Sequence, residues 1–343
     1  MFIGLLLAIL SGICYGICFL PIRYMNKFAW ENIWFVYSLF GVLVLPVLTG
    51  WLTMPFLFDL YRQVGWRTNS IILALGFLSG ASAVLYGLAL IRIGMALVNA
   101  IGNGISIVLG SFIPLLIQHR EALQGRLGFA LIFGIVLGLM GVVICAAAAS
   151  KREQESAYMD PSKQKGKDLR RAAMVGVILT VVWGVLGSNM NFGLAFAGDY
   201  VKIAKARGTG DAYSAMALFI PITSPGFATS CLYFAYLWRK NRTIRQFRES
   251  HAVRFSLICL LMAVVWFAGM LLYGWAMPWM KSYGPVLGWP IMMSSISIVS
   301  AIVEWCYGDW KGRALRILSY GLVALTGSIA TLGYANWLIQ KIA

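Results

Sequence analysis

Apolar stretches of roughly 17–25 residues, long enough for a helix to cross the hydrocarbon core of a bilayer, follow one another along the whole chain. They fall at 2–22, 33–51, 70–91, 94–117, 127–149, 172–198, 213–238, 255–277, 283–305 and 315–338, which predicts ten transmembrane helices. In lipid the backbone must satisfy its own hydrogen bonds, so helices are the natural solution. A β-barrel would need short alternating strands, and these runs are not that. The expected fold class is therefore an all-α polytopic membrane protein. Only Arg92-Ile93-Gly94 separates the third stretch from the fourth, which predicts a tight hairpin there. The first stretch lacks a basic leader and an Ala-x-Ala cleavage site, so it reads as a transmembrane helix and not a signal peptide.

Two segments stand out as watery: KREQESAYMDPSKQKGKDLRR at 151–171 and RKNRTIRQFRES at 239–250. The first divides the helices into five and five. The expected organisation is a first repeat at 1–150, a linker at 151–171 and a second repeat at 172–343. Five helices per half means that related halves must be inverted in the membrane, as in many secondary transporters. Tyr86-Gly87-Leu88-Ala89 reappears as Tyr273-Gly274-Trp275-Ala276, and Gly125-Arg126 with Gly134 reappears as Gly312-Arg313 with Gly321, all offset by 187. Tyr15-Gly16 is echoed by Trp183-Gly184, and Pro46 by Pro225, at smaller offsets.

Composition narrows the class further. Hydrophobic residues make up 60% and charged residues only 12%, half the roughly 25% of an ordinary soluble domain. A soluble enzyme and a disordered chain are both excluded. Lys and Arg outnumber Asp and Glu 28 to 12, a net charge of +16. Nucleic acid is one explanation of such an excess, and cytoplasmic loops of a membrane protein are another. Nineteen of the 28 fall in loops after odd-numbered helices. The richer side is expected to be cytoplasmic, making 151–171 a cytoplasmic linker and placing both termini in the periplasm of a bacterial inner membrane. Neither basic loop has the aromatic interleaving of a nucleic-acid binder. Membrane lipid is an expected partner of 239–250, and no nucleic acid is expected.

Reactive groups are sparse. The six cysteines lie in or beside the stretches without a Cys-x-x-Cys pair, and His119 and His251 fall in loops. No metal site, cofactor or Walker phosphate loop is legible, and no enzyme is expected. Small neutral polar residues fill the interior instead. Asn99, Asn103 and Ser106 share one helix face at i, i+4, i+7, and Gly184, Ser188 and Asn191 form a similar stripe beside Trp183 and Asn189. The ninth helix opens on GPVLGWP (284–290), a Gly/Pro-interrupted start that includes Trp289, and continues through Ser294, Ser297 and Ser300. Interrupted helices at matching places in two halves point to a binding site in repeat transporters. The candidates for substrate contact are Asn99, Asn103, Asn191, Trp289, Asn189, Trp183 and Ser297. Close helix packing by the small residues is the competing role.

Eleven of the 12 acids lie in loops or at helix ends, and Glu304 closes the ninth stretch. An intramembrane carboxylate is a candidate proton or cation site. An interfacial ion pair with Arg92 or Arg313 is the alternative. Glu31 and Asp309 are candidates for ion-paired cytoplasmic gates.

Several segments resemble the L-rhamnose–proton symporter family of the drug/metabolite transporter superfamily. They are LPIRYMNKFAWENIWFVYSLFGVLVLP (20–46), RIGMALVNAIGNGISIVLGSFIPLL (92–116), GVLGSNMNFGLAFAG (184–198), VVWFAGMLLYG (264–274), GPVLGWPIMM (284–293) and GDWKG (308–312). The resemblance implies ten helices as two inverted five-helix repeats. It also implies uptake of a sugar or related small polar metabolite by alternating access, driven by a coupling cation, with a proton expected. Ser230 and Ala301 stand where many members carry Asn, Glu304 where Gly is usual, and Asp309 where the motif has Glu. These departures change the hydrogen bonds offered to a ligand and imply one other than L-rhamnose itself, with cation recognition by Glu304 open. The alternatives are an exporter or exchanger, or a non-transporting receptor or assembly subunit.

Overall fold

The computed structural model describes residues 2–93, 95–159 and 167–342. Among these residues ten helical segments are long and apolar enough to cross a membrane, and no strand occurs. Spans 1 to 5 are Ile3–Tyr24, Trp30–Thr53, Trp66–Leu90, Leu97–Gln118 and Gly125–Arg152. Spans 6 to 10 are Ala173–Phe196, Asp211–Asn241, Ala252–Trp279, Lys281–Cys306 and Gly312–Lys341. Each stretch expected from hydropathy coincides with one of them. Of the hairpin expected at Arg92-Ile93-Gly94, Gly94 lies outside the described residues.

Three of the departures from expectation have a plain physical reason. Span 2 begins at Trp30 because the polar pair Glu31 and Asn32 is buried and bonded to residues 241–246. The helix of span 5 runs on as Gly125–Met159, and the next starts at Lys167. Residues 151–159 and 167–171, expected as loop, are thus helical, while 160–166 lie outside the described residues. Glu, Lys, Arg, Gln and Ala in 151–157 are good helix formers. Span 9, expected to open on an interruption, is instead one helix, Gly284–Cys306. Pro285 sits in its first turn, where a backbone N–H has no helical partner to lose.

The interruptions occur elsewhere. Leu39–Val44 in span 2 and Val108–Phe112 in span 4 are π-helical, and each lies just before a proline, Pro46 or Pro114. A proline removes the donor that the carbonyl four residues earlier would use, here Val42 and Gly110. Span 6 breaks at Ser188, between Lys167–Gly187 and Asn189–Phe196. At the end away from 151–159, the short helix Asp199–Ala206 caps the bundle. Its fully buried Tyr200 donates to Asn69 Oδ1 at 2.7 Å, and burial pushes this hydroxyl up to about 12, so it stays a donor.

The main packing partners are span 5 with 10, span 3 with 6 and 7, and span 1 with 8 and 9. Span 4 meets 5, 6 and 9, span 2 meets 7 and 8, and span 9 meets 10. This set is unchanged when every span is exchanged for the one five places away. Along spans 5 and 10 the exchange reaches single residues. Gly134 lies against Leu332 and Gly321 against Cys145, while Gly138 lies against Ser328 and Gly141 against Leu325. In both cases a shift of 187, from Gly134 to Gly321, carries one contact onto the other.

Candidate functional site

A cavity of about 290 Å³ lies among spans 1, 2, 3, 4, 6, 7, 8 and 9. Spans 5 and 10 stand outside it. Its lining residues sit near the middle of spans 7, 8 and 9 and reach toward the Glu304 end of spans 1, 2 and 4. Aromatic side chains form much of the wall: Tyr15, Phe19, Trp34, Tyr37, Tyr86, Trp183, Trp266 and Trp289. They brace one another. Phe19 stacks on Trp34 at 5.1 Å between centroids, Tyr86 meets Trp183 at 4.6 Å, and Tyr15 stands edge-on to Trp266 at 5.7 Å. Rings packed this way are fixed in orientation, so they present rigid faces to whatever enters. The polar lining is neutral: Asn99, Asn103, Ser106, Thr223 and several further serines. Among the described residues no Asp, Glu, Lys, Arg or His lines it.

Four of the residues singled out by sequence meet here: Asn99, Asn103, Trp183 and Trp289. Asn99 accepts from the Tyr86 hydroxyl at 3.1 Å, which leaves its amide N–H groups free for the cavity. Asn103 donates to Ser297 Oγ at 3.3 Å, and Ser297 in turn donates to the Met293 carbonyl at 3.0 Å. Ser297 therefore supports Asn103 from behind. The Trp289 indole donates to the Ser106 carbonyl at 3.0 Å and hydroxyl at 3.1 Å, so its ring faces the cavity while its polar atom is spent on span 4. The Trp183 ring rests on Gly102, where a Cβ would overlap it.

Asn191 and Asn189 are buried but do not line the cavity. Asn191 donates to the Gly110 carbonyl and, at 3.0 Å, to the Pro285 carbonyl, and it accepts from the Tyr273 hydroxyl at 2.6 Å. The Gly110 carbonyl is the one that Pro114 orphans, so Asn191 fills the gap left by a proline. Sequence reasoning missed the roles of Tyr15, Phe19, Trp34, Tyr37, Tyr86, Trp266 and Thr223. The spacing of Trp34, Ser38 and Val42 at i, i+4, i+8 marks one face of span 2 and was the available signal.

The charged candidates lie at the end of the bundle that carries 151–159. Glu304 is 4% exposed and accepts from Arg152 at 2.9 Å and from the Trp310 indole at 3.1 Å. The Arg152 guanidinium covers the Trp310 ring, 4.4 Å from its centroid. The partner is neither Arg92 nor Arg313, because the helix of span 5 continues far enough to bring Arg152 to the end of span 9. Arg23 pairs with Asp309, and the Tyr24 and Tyr307 hydroxyls meet at 2.7 Å, so span 1 is tied to the same turn. Glu31 is buried and accepts from Asn241 at 3.0 Å and from Thr243, both neutral. Arg92 is exposed and donates to its own helix at Leu88. None of these charged groups touches the cavity.

Residues 1–336 match the family model described as L-rhamnose-proton symport protein. The L-rhamnose-proton symporter of Cronobacter sakazakii is 26% identical over 341 residues, covering 95% of this chain and 96% of that protein. The proteins of the same name from Yersinia pestis and Yersinia pseudotuberculosis are each 23% identical over 339 residues, with 95% and 96% coverage.

Proposed function

The chain belongs to the L-rhamnose-proton symport protein family, and from that premise we propose that it takes up a neutral monosaccharide together with protons, with the central cavity as the sugar site. The cavity lining carries this reading: rigid aromatic faces, two amides and several hydroxyls, without a charged side chain among the described residues. Aromatic faces suit the C–H face of a sugar ring, and amides suit its hydroxyls. A charged ligand would lose its hydration there with no countercharge to replace it. The volume stands at the lower end of the roughly 300–1,000 Å³ of small-molecule pockets, which fits one sugar ring and not a longer glycan. Ser230 lines the cavity where the family resemblance expects Asn, so the hydroxyl pattern read here differs from that of L-rhamnose carriers. The names of the relatives favour coupled sugar uptake over an exporter, a receptor or an assembly subunit.

Asn99, Asn103, Trp183 and Trp289 would contact the sugar, with Ser297 positioning Asn103. Two inverted five-helix repeats, 1–150 and 172–343, would rock about this site. The packing set that survives exchange of spans n and n+5, and the reciprocal contacts of spans 5 and 10, support that arrangement. The basic loops support a bacterial inner membrane with the 151–171 side cytoplasmic and both termini periplasmic. The pairs of Glu304 with Arg152 and Asp309 with Arg23 would latch the cytoplasmic end, while Glu31 would tie span 2 to Asn241 and Thr243. Protonation of Glu304 would release Arg152 and open that latch.

Uptake of labelled L-rhamnose and a panel of other neutral monosaccharides into proteoliposomes tests the function. At least one sugar should accumulate under an inward proton gradient, and a protonophore should abolish accumulation. Accumulation of none of them, or accumulation indifferent to the protonophore, refutes the proposal. Glu304→Gln should remove the pH dependence of uptake while leaving sugar exchange; an unchanged pH dependence removes Glu304 from the coupling.

A further inference from the structure

A serine or threonine inside a helix ordinarily returns its hydroxyl to the carbonyl one turn back. Ser79, Ser295 and Ser297 do so, to Leu75, Ile291 and Met293 at 2.9, 2.8 and 3.0 Å. In the cavity wall, Ser38 of span 2 and Ser82 of span 3 do not. They are 5% and 3% exposed, and neither hydroxyl meets a hydrogen-bond partner among the described residues. Neither oxygen is sealed in the packing, as the partnerless Tyr15 hydroxyl and Thr223 Oγ1 are. The surface they keep opens on the cavity that both residues line.

The two serines stand at one level. Spans 2 and 3 follow one another and so run in opposite directions, and their Trp34 and Tyr86 rings lie 6.2 Å apart. Ser38 follows Trp34 by four residues and Ser82 precedes Tyr86 by four, both in unbroken α-helix. Each serine therefore lies one turn deeper in the membrane, on the face its ring occupies. The ring layer is itself held in place, because Phe19 stacks on Trp34 and the Tyr86 hydroxyl donates to Asn99. Water satisfies open hydroxyls of this kind when no ligand is bound. A ligand that displaces the water must return the bond or lose affinity.

We propose that the Ser38 and Ser82 hydroxyls bond directly to two hydroxyl groups of the ligand and so determine which neutral monosaccharide the cavity accepts. This rests on the cavity being the sugar site. The sugar then sits one turn inside the Trp34–Tyr86 ring layer, and each serine reads a different hydroxyl because they project from different helices. A sugar without either hydroxyl strands one serine away from water and is rejected on that account.

The variants Ser38→Ala and Ser82→Ala remove one oxygen each and suit a helix. Binding is read by the intrinsic fluorescence of the cavity tryptophans, with L-rhamnose as first probe and the other neutral monosaccharides after it, and stability by the unfolding midpoint without sugar. Each variant should raise Kd about tenfold, the worth of one neutral hydrogen bond. The sugar-free midpoint should not fall, because no bond within the protein is lost. Among monodeoxy analogues of the bound sugar, one should bind wild type about tenfold more weakly yet lose nothing further on Ser38→Ala. A different analogue should behave so on Ser82→Ala. An unchanged Kd in either variant overturns the proposal, as does weaker binding of every analogue by the same factor, because the serine then reads no particular hydroxyl. Asn99→Ala separates this proposal from the site itself. Weakened binding there with unchanged binding in both serine variants sinks only this proposal. Unchanged binding in all three, or no binding of any sugar by wild type, sinks the cavity as the sugar site and this proposal with it.

Discussion

Asn191→Leu is the substitution whose outcome the packing specifies most fully. The two side chains share a branched four-atom skeleton, so no cavity opens, and the larger methyls crowd the former partners in addition to removing the hydrogen bonds. Two groups lose their partner outright, the Gly110 carbonyl and the Tyr273 hydroxyl, and the Pro285 carbonyl, already bonded within its helix, loses a second donor. Asn191 and Tyr273 are both fully buried, so water cannot replace it. Leaving a buried group unpaired costs about 1–3 kcal/mol, and two such groups, with a smaller loss at Pro285, give about 3–5 kcal/mol. For a chain of this size such a loss lowers the unfolding midpoint on the order of 10 °C. Tyr273→Phe alone removes one of the three bonds and should cost about 1–2 kcal/mol. In the Asn191→Leu background the same Phe change should be neutral or stabilising, since the phenol there has no acceptor left; neighbours sharing one network are non-additive in this way. The folded Asn191→Leu variant should keep its sugar Kd, because Asn191 does not face the cavity. A wild-type midpoint combined with weakened sugar binding would refute this reasoning and return Asn191 to the ligand.

Two ion pairs at the same end of the bundle should differ in strength. Glu304 is nearly fully buried and Arg152 a quarter exposed, so a double-mutant cycle of Glu304→Gln and Arg152→Met, read by unfolding midpoint, should give a coupling of about 2 kcal/mol, between exposed and fully buried pairs. Arg23 and Asp309 are each about one-third exposed, and Asp309→Asn should change stability by less than about 1 kcal/mol; a larger loss would show a pair stronger than its exposure permits. Where spans 3 and 7 cross, a Cβ on Gly80 would overlap the backbone of Gly226, so Gly80→Val should cost about 1–3 kcal/mol by forcing the helices apart, and an unchanged midpoint would mean that the crossing relaxes freely.

Ten spans were legible because a bilayer demands long apolar helices, and hydropathy measures that demand directly. Their ends were less legible because polarity is a poor guide to helix ends. Glu31 and Asn32 look like loop residues, yet the 241–246 segment satisfies them and they enter the helix. Lys151 to Ala157 look solvated, yet their helix propensity extends span 5. The site divides along a similar line. Asn99 and Asn103 were visible because amides are costly in a membrane interior and the stripe shares one face. Asn191 was visible for the same reason, but polarity alone does not distinguish an amide facing a cavity from one that caps a carbonyl orphaned by a proline. Tyr15 and Thr223 were invisible because a phenol or hydroxyl inside a helix ordinarily serves packing or a bond one turn back, and only the packed structure brings them to the cavity wall.

Glu304 drew notice as the one acid inside a predicted span, and its surroundings change what that position means. A carboxylate coupling a proton to a sugar by direct contact would line the cavity; Glu304 instead ends the helix whose other turns form the cavity wall through Trp289, Met293, Ile296 and Ser300. Its partner Arg152 ends span 5, which contributes nothing to the cavity but packs along span 10. The ion pair therefore joins a wall of the cavity to the helix pair outside it. A proton that separated Glu304 from Arg152 would act on sugar access by freeing the end of span 9, not by touching the ligand. In the proposed cycle, selectivity and coupling thus occupy different places on one helix: the neutral middle recognises the sugar, and the charged end decides when the cavity opens.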